Sequence, residues 1–175
     1  MKPLIEMGYP GLQRIISGGQ CGVDRGALEA AAAWPISTTG WVPKGYRTWF
    51  GPDLSLQRFG MVEHSSPNYP PRTEMNVIDS DGTLILGRDL ESSGTTLTHE
   101  LTVKHAKPCL RIKLPLKDES ATSIRIAEWI VMNNIATLNV AGNRDLQGSY
   151  HLDTTEVLIT SVLMELEMMG MLIKL

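Results

Sequence analysis

Short apolar runs alternate along this chain with stretches of helical spacing, and glycine, proline or small polar residues mark each change of period. Gln13 to Ser17 reads as a buried strand. Gly22 to Trp34 follows as a helix whose Ala-rich body (Ala27, Ala30 to Ala33) favours helix and permits close packing, and Pro35 stops it. Ile36 to Val42 predicts a second strand. From Pro43 to Pro71 no period holds, and the abundance of Pro, Gly, Ser and aromatic residues predicts a long irregular loop, 43–71. Arg72 to Ser80 reads as a short helix, and the nearly continuous apolar run Gly82 to Gly87 as a central parallel strand. Thr95 to Ala106 has helical spacing with Leu97 and Leu101 on one face, Pro108 to Leu114 is a fourth strand, Ser120 to Asn133 a helix and Thr137 to Ala141 a fifth strand. One long helix, about 152–172, closes the pattern.

Strands and helices alternating at this rhythm imply a mostly parallel sheet of five or more strands with helices on both faces, in a single domain over residues 1–175. The last helix carries Val157, Leu158, Ile159, Val162, Leu163, Met164, Leu166, Met168, Met169, Met171 and Leu172, leaving few polar positions. Apolar nearly all round, it is expected to cover the sheet and also to meet another subunit, which predicts a homo-oligomer. Composition narrows the setting. With 42% hydrophobic residues the chain can bury a core unaided, and Cys21 and Cys109, the only cysteines, lack a pairing or metal-clip spacing, as in a reducing compartment. Met1 to Gly11 lacks the features of a secretory signal and no apolar run reaches membrane-spanning length, so a soluble, cytoplasmic protein with no membrane association is expected. A net charge of -3 argues against broad nucleic-acid binding, so any anion site must be local.

Two turns point to such a site. Ser17-Gly18-Gly19-Gln20-Cys21-Gly22 follows the first strand, and Ser92-Ser93-Gly94-Thr95-Thr96 follows Gly82 to Gly87. At a strand-to-helix junction small residues let a ligand approach the backbone, while free N–H groups and the helix dipole favour negative charge. Two such turns at the carboxyl ends of parallel strands suggest one crevice for a phosphorylated molecule; for the first turn taken alone, the alternative is a glycine turn that merely lets helix and strand pack tightly. The first turn does not complete a dinucleotide fingerprint, because Ser37, Thr38, Thr39 and Gly40 stand where an acidic residue is needed about twenty positions on, and no phosphate loop of the nucleoside-triphosphatase type is present. Asp24 complements the helix dipole, caps the helix or meets the ligand. Cys21 sits at a helix start but has no catalytic companion, so it reads as a small core residue. His99-Glu100 opens like a zinc-protease motif, yet Val103 occupies the second ligand position and His105 lies on a different face; His64 and His151 read as solvated loop residues. No metal site is expected. Arg72 opens a helix after Pro70-Pro71, where its planar fork would swing over the strand ends toward phosphate oxygens or lie solvated on the surface. Lys44, Arg47 and Arg144 are further cations in loops near the same edge.

Several blocks together carry a family resemblance: Ser17-Gly18-Gly19-Gln20-x-Gly22-Val23-Asp24, Gly40-Trp41-x-Pro43-Lys44-Gly45, Arg72-Thr73-Glu74-x-Asn76-Val77-x-Asp79-Ser80-Asp81-Gly82-Thr83-Leu84, Gly94-Thr95-x-x-Thr98, Lys107-Pro108-Cys109 and Leu138-Asn139-Val140-Ala141-Gly142. In this order they resemble the molybdenum cofactor carrier family, part of a superfamily with the cytokinin-activating phosphoribohydrolases (long called lysine decarboxylase-like) and DNA-processing protein A. The resemblance implies a Rossmann-like, doubly wound three-layer α/β/α fold, binding of nucleotide-like or pterin-phosphate ligands at the strand ends, and dimers or tetramers. In the phosphoribohydrolases a phosphate turn also supplies a catalytic glutamate. Carried over, Gly94 and Thr95 match the phosphate turn and Arg72 an upstream arginine, but the glutamate position holds Thr98, whose hydroxyl cannot act as acid or base near neutral pH. Glu100 lies two residues on, about 200 degrees round the helix, and should not face the same ligand. The chain departs from the family pattern at the aromatic segment Tyr46-Arg47-Thr48-Trp49-Phe50-Gly51 and at Asn143, where proline is more usual.

These readings converge on a non-catalytic carrier, with molybdenum cofactor (molybdopterin) or a nucleotide-like phosphate as cargo and a molybdoenzyme as a possible acceptor. The expected binding residues are Ser17, Gly18, Gly19, Gln20, Gly22, Asp24, Lys44, Arg72, Gly94, Thr95, Thr96 and Thr98, with Trp41, Tyr46 or Trp49 stacking on a planar ring. Two other readings remain open. One is a phosphoribohydrolase-type enzyme using Glu74, Asp79, Asp81 or Glu100; the other is a nucleotide-ligand sensor that signals through the last helix.

Overall fold

The structure, a computed structural model, describes residues 10–146 and 150–172; the reading of Met1 to Gly11 falls almost wholly outside them. In chain order the elements are β1 (Arg14–Ser17), α1 (Val23–Ala32), β2 (Ser37–Val42), β3 (Arg47–Thr48), β4 (Gly51–Pro52), a 3-10 helix (Leu54–Phe59), β5 (Met61–Glu63), α2 (Tyr69–Ile78), β6 (Gly82–Gly87), α3 (Ser93–Lys104), β7 (Cys109–Lys113), α4 (Glu119–Met132), β8 (Thr137–Gly142) and α5 (His151–Met168). Six strands form one sheet in the order β5-β2-β1-β8-β6-β7, every pairing parallel, and β3 pairs antiparallel with β4. Helices α1, α4 and α5 pack together on one face and α2 with α3 on the other. This is the expected Rossmann-like, doubly wound α/β/α arrangement.

β6 is buried at every residue because it has a strand on each side and helices above and below. The main core lies on the α1/α4/α5 face, where Ile15, Leu84, Leu86 and Val140 meet Ala27, Ile126, Leu158 and Val162. Here α1 and α5 approach so closely that a Cβ on Gly26 would stand 2.3 Å from the Leu152 carbonyl oxygen. The opposite face is more polar: Asn76 accepts from Trp41 N–H at 2.7 Å and donates to its carbonyl at 3.1 Å, and the buried Asn139 donates to Thr83 Oγ1 at 3.2 Å.

The structure corrects the sequence reading in three places. The segment 43–71 is not an irregular loop throughout. It holds the β3–β4 hairpin, the 3-10 helix capped by Asp53, and β5, which extends the sheet beyond β2 at Gly40↔Met61, Trp41↔Val62 and Val42↔Glu63. Strands of two or three residues carry no periodic signal, and their pairing is non-local. Leu56, Phe59 and Met61 also close a second apolar cluster with Leu28 and Val42. The last helix ends at Met168: Gly170 takes a positive φ of 68°, its N–H bonds to the Glu167 carbonyl at 2.9 Å and the Met171 N–H to the Leu166 carbonyl at 2.8 Å. Nor is that helix buried all round. Leu158, Ile159, Val162, Leu163 and Leu166 face the core, whereas Val157, Met164 and Met168 face outward among Asp153, Glu156 and Glu167. Finally, His151 is no solvated loop residue. It starts α5, buried, with its N–H and Nδ1 2.9 and 3.0 Å from Asp145 Oδ1. Among the described residues, no helix is long and apolar enough to cross a membrane.

Candidate functional site

β8 lies between β1 and β6, and the chain leaves β1 toward β2 but leaves β6 toward β7. The carboxyl ends of these three strands therefore border the point where the winding reverses, the usual crevice of open α/β sheets. Both glycine-rich turns lie on this one edge. Asn143, just past β8, joins them: its carbonyl accepts the Val23 N–H of α1 at 3.1 Å, and its amide Nδ2 donates to Ser92 Oγ at 3.2 Å.

The first turn differs from the expected amide-lined cradle. Asp24 is 4% exposed, and its Oδ2 accepts the Gln20 N–H at 3.2 Å. Burial pushes its carboxyl above the usual carboxylate range, with the Arg72 guanidinium and the backbone N–H groups of Gln20, Gly142 and Gly18 pulling it partly back. The Cys21 N–H goes to Gln20 Oε1 at 3.1 Å. Amides expected to face a ligand thus serve a carboxylate and a carboxamide of the turn itself. The reason is local: a carboxylate buried at a helix start takes the nearest donors.

Arg72 is not solvated; its guanidinium lies buried just past the carboxyl end of β1, against Gly18 and Asp24. It is 8% exposed, with Nη2 3.8 Å from Asp24 Oδ2, and it fills the space beneath Gly18, where a Cβ would stand 1.7 Å from Nη1. Gly18 is thus needed for the guanidinium. The Arg72 Nε is buried with no hydrogen-bond partner among the described residues. Burial pulls the guanidinium pKa down, but from so high a value that it stays charged. Tyr69 is flanked by two guanidinium groups, Arg72 at 5.7 Å and Arg47 at 5.5 Å from the ring centroid.

The second turn is closer to expectation. The first bond of α3 runs from Thr96 N–H to the Ser92 carbonyl at 2.9 Å, so the N–H groups of Ser93, Gly94 and Thr95 precede any intrahelical partner. Nothing lies within 4 Å of where a Gly94 Cβ would be. The hydroxyls of Thr95 and Thr98 do not join in. Thr95 Oγ1 bonds to the Ser92 carbonyl at 3.0 Å and Thr98 Oγ1 to the Gly94 carbonyl at 2.8 Å, both side chains being buried. The turn offers backbone amides rather than the Thr95 and Thr98 oxygens.

The β3–β4 hairpin covers the first turn. Trp49 N–H donates to Gln20 Oε1 at 2.7 Å, and the Arg144 guanidinium lies over the Trp49 ring, 3.7 Å from its centroid. A cavity of about 400 Å³ between hairpin and turn is lined by Gly19, Cys21, Arg25, Thr48 and Phe50. Gly19 and Gly22 both need positive φ, 69° and 96°, and Gly22 abuts the Asn143 carbonyl. Ser17 is buried and donates to the Val140 carbonyl at 2.6 Å, a strand contact. Lys44 is exposed just past the end of β2, on the far side of β1 from the second turn. Trp41 is a strand residue whose Nε1 bonds to Asp79 at 2.7 Å, and Tyr46 packs on the Leu28 cluster, so of the three aromatics only Trp49 stands over the first turn.

Other candidates are engaged elsewhere. Glu74 pairs with Lys104 and His105 at 2.6 and 2.8 Å, and Asp81, at the opposite sheet edge, accepts the Thr137 N–H at 2.8 Å. Burial raises the Cys21 thiol, which favours the protonated, non-nucleophilic form. Among the described residues no cluster of three or more His, Cys, Asp or Glu is placed to hold a metal ion. Asn143, Tyr69 and the Gln20 carboxamide escaped the sequence reading as organisers of the site. Asn143 alone left a signal, as a departure from the usual proline.

Comparison with known proteins agrees with this architecture. A family model described as the circularly permutated YpsA SLOG family matches residues 15–163. The chain is also similar to a solved structure, that of a putative molybdenum carrier protein from Syntrophus aciditrophicus SB. The two share 36% identity with a TM-score of 0.82, over 88% of this chain and 96% of that one. No curated protein matches.

Proposed function

This chain belongs to the circularly permutated YpsA SLOG family, and from that premise we propose that it is a non-catalytic carrier of a phosphorylated, planar cofactor, molybdenum cofactor or a nucleotide-like relative. The observation that carries the reading is the pairing on one sheet edge of the Ser93, Gly94 and Thr95 amides, which have no partner among the described residues, with a first turn roofed by the Arg144–Trp49 stack. Amides at a helix start suit phosphate oxygens, and the stacked indole and guanidinium suit a flat heterocycle. Absence of an acid from the catalytic position supports carriage over hydrolysis, since Thr98 directs its hydroxyl into its own helix. Similarity to a protein described as a molybdenum carrier supports that class of cargo.

A molybdoenzyme acceptor fits this reading. The free cysteines Cys21 and Cys109 fit a reducing, cytoplasmic setting. The outward strip of Val157, Met164 and Met168 supports self-association, which light scattering would test; a monomer at all concentrations rejects it. Calorimetric titration with molybdenum cofactor and, separately, with nucleoside monophosphates tests the carrier. Saturable binding of either without release of free base is expected. No saturable binding rejects the site, and base release makes the protein a hydrolase instead.

A further inference from the structure

We propose that the open edge of β7 is a docking surface for an extended, acidic polypeptide segment, which adds to the sheet beside it. β7 is the last strand of the sheet and among the described residues pairs only with β6, from Thr83↔Cys109 to Gly87↔Lys113. At its two ends the Pro108 carbonyl accepts the Thr83 N–H and the Leu114 N–H donates to the Gly87 carbonyl, both at 2.9 Å. Alternate residues point opposite ways in a strand, so Cys109, Arg111 and Lys113 turn their backbone N–H and C=O groups away from β6. That row is a template for another strand.

What the edge would accept follows from its surroundings. A groove of about 700 Å³ runs beside it, with Leu114 and Leu116 among its apolar residues and Arg111, Lys113, Lys117 and Arg125 as its cations. Asp118 is the one acid of the lining, and its Oδ1 already caps α4 by accepting the Ala121 N–H at 2.9 Å. Arg111 is paired with Glu91 at 2.7 Å, whereas among the described residues Lys113, Lys117 and Arg125 have no acidic partner. On a chain of net charge -3 this is a local surplus of positive charge against apolar floor and free backbone. A lysine on an edge strand is also a common guard against aggregation. Guarding accounts for Lys113 alone; it needs neither a groove nor cations on the following loop and on α4. An acidic strand with alternating apolar residues satisfies all three features: backbone bonds to the edge, apolar side chains in the groove and carboxylates on its rim.

The groove is close to the site, since Arg111 also pairs with Glu91 in the loop that leads to the second turn. A docked partner would stand beside the crevice, although the docking itself requires no cargo.

The test uses the full chain and a fluorescein-labelled ten-residue peptide alternating glutamate with valine or threonine. Companion peptides carry lysine for glutamate, or proline at two central positions. Saturable anisotropy is expected for the acidic peptide, at least tenfold weaker for the proline version and for the chain with Lys113→Glu and Arg125→Glu. Hydrogen exchange should show new protection at the Arg111 and Lys113 amides. The proposal is overturned if the acidic peptide fails to saturate, if the lysine or proline peptide binds as tightly, or if binding leaves those amides unprotected. It is equally overturned if the chain proves to pair with a second copy along this edge, seen as a dimer that the double variant dissociates.

Discussion

Asn143 treats Asp89 as a neighbouring strand would: its Oδ1 accepts the Asp89 N–H at 2.9 Å and its Nδ2 donates to the Asp89 carbonyl at 2.8 Å. One side chain past the central strand thereby fixes the loop that leads into the second turn, and Gly87 must lack a side chain because a Cβ there would stand 2.4 Å from that same Oδ1. Asn143→Ala removes both bonds; the Asp89 backbone groups are exposed and can turn to water, so the cost is that of the bonds themselves, about 1 kcal/mol. Urea denaturation should show that loss, and cofactor affinity should fall further than stability alone explains. Unchanged affinity in a folded variant would separate Asn143 from the site.

Arg72→Ala takes from buried Asp24 its counter-charge. Removing one partner of a buried ion pair costs about 3–5 kcal/mol. The sign of the pH effect follows from the direction of the shift: burial already holds the Asp24 carboxyl above its unfolded value, and Arg72 is the largest influence opposing that. Without Arg72 the folded value rises further. A raised carboxyl contributes stability that is fully present below the unfolded value, about 4, and lost as pH climbs through the folded one. The deficit of the variant should therefore shrink as pH falls from 7 toward about 4. A deficit independent of pH would mean that Asp24 and Arg72 are not coupled in this way.

Gly18 and Gly94 should respond differently to the same methyl group. In Gly18→Ala the new Cβ falls 1.7 Å from Arg72 Nη1, so the guanidinium must leave its buried place and stability should drop with binding. Gly94→Ala meets nothing within 4 Å, and alanine favours helix, so stability should stay within about 0.5 kcal/mol of the parent or rise slightly. If a ligand oxygen approaches the Ser93–Thr95 amides, that same methyl obstructs it, and affinity should fall at least tenfold. Full-strength binding by Gly94→Ala would move the anion elsewhere.

The hairpin can be released without touching either turn's glycines. Gln20→Ala removes the acceptor shared by the Trp49 and Cys21 N–H groups, at 2.7 and 3.1 Å, at a cost of about 1–3 kcal/mol. Trp49→Ala keeps that backbone bond and loses only the exposed stack with Arg144, about 0.5–1 kcal/mol. Hydrogen exchange at residue 49 should rise sharply in the first variant and little in the second. Equal exchange in both would show that the stack, rather than Gln20, anchors the hairpin.

Much of this architecture was legible in one dimension. The run Gly82 to Gly87 announces a strand buried on both faces, and Ala-rich α1 announces close packing, because burial and helix propensity act on consecutive residues. The two turns were visible for the same reason: glycine and small residues at a strand-to-helix junction are a local requirement of backbone geometry. What escaped is what depends on partners far along the chain. β5 is three residues long and exists through its pairing with β2. His151 looked solvated until the fold buried it against Asp145.

By itself, then, the sequence determined the alternation of strands and helices and the placing of two glycine turns at strand ends, since both follow from side-chain period and backbone freedom over a few residues. Only the tertiary structure decided how the site is filled. It brought Arg72 from α2 under Gly18 to balance Asp24, engaged the Gln20 and Cys21 amides with Asp24 and the Gln20 side chain, and left the first three amides of α3 without partners among the described residues, because charge burial and hydrogen-bond pairing are settled between groups that only folding makes neighbours.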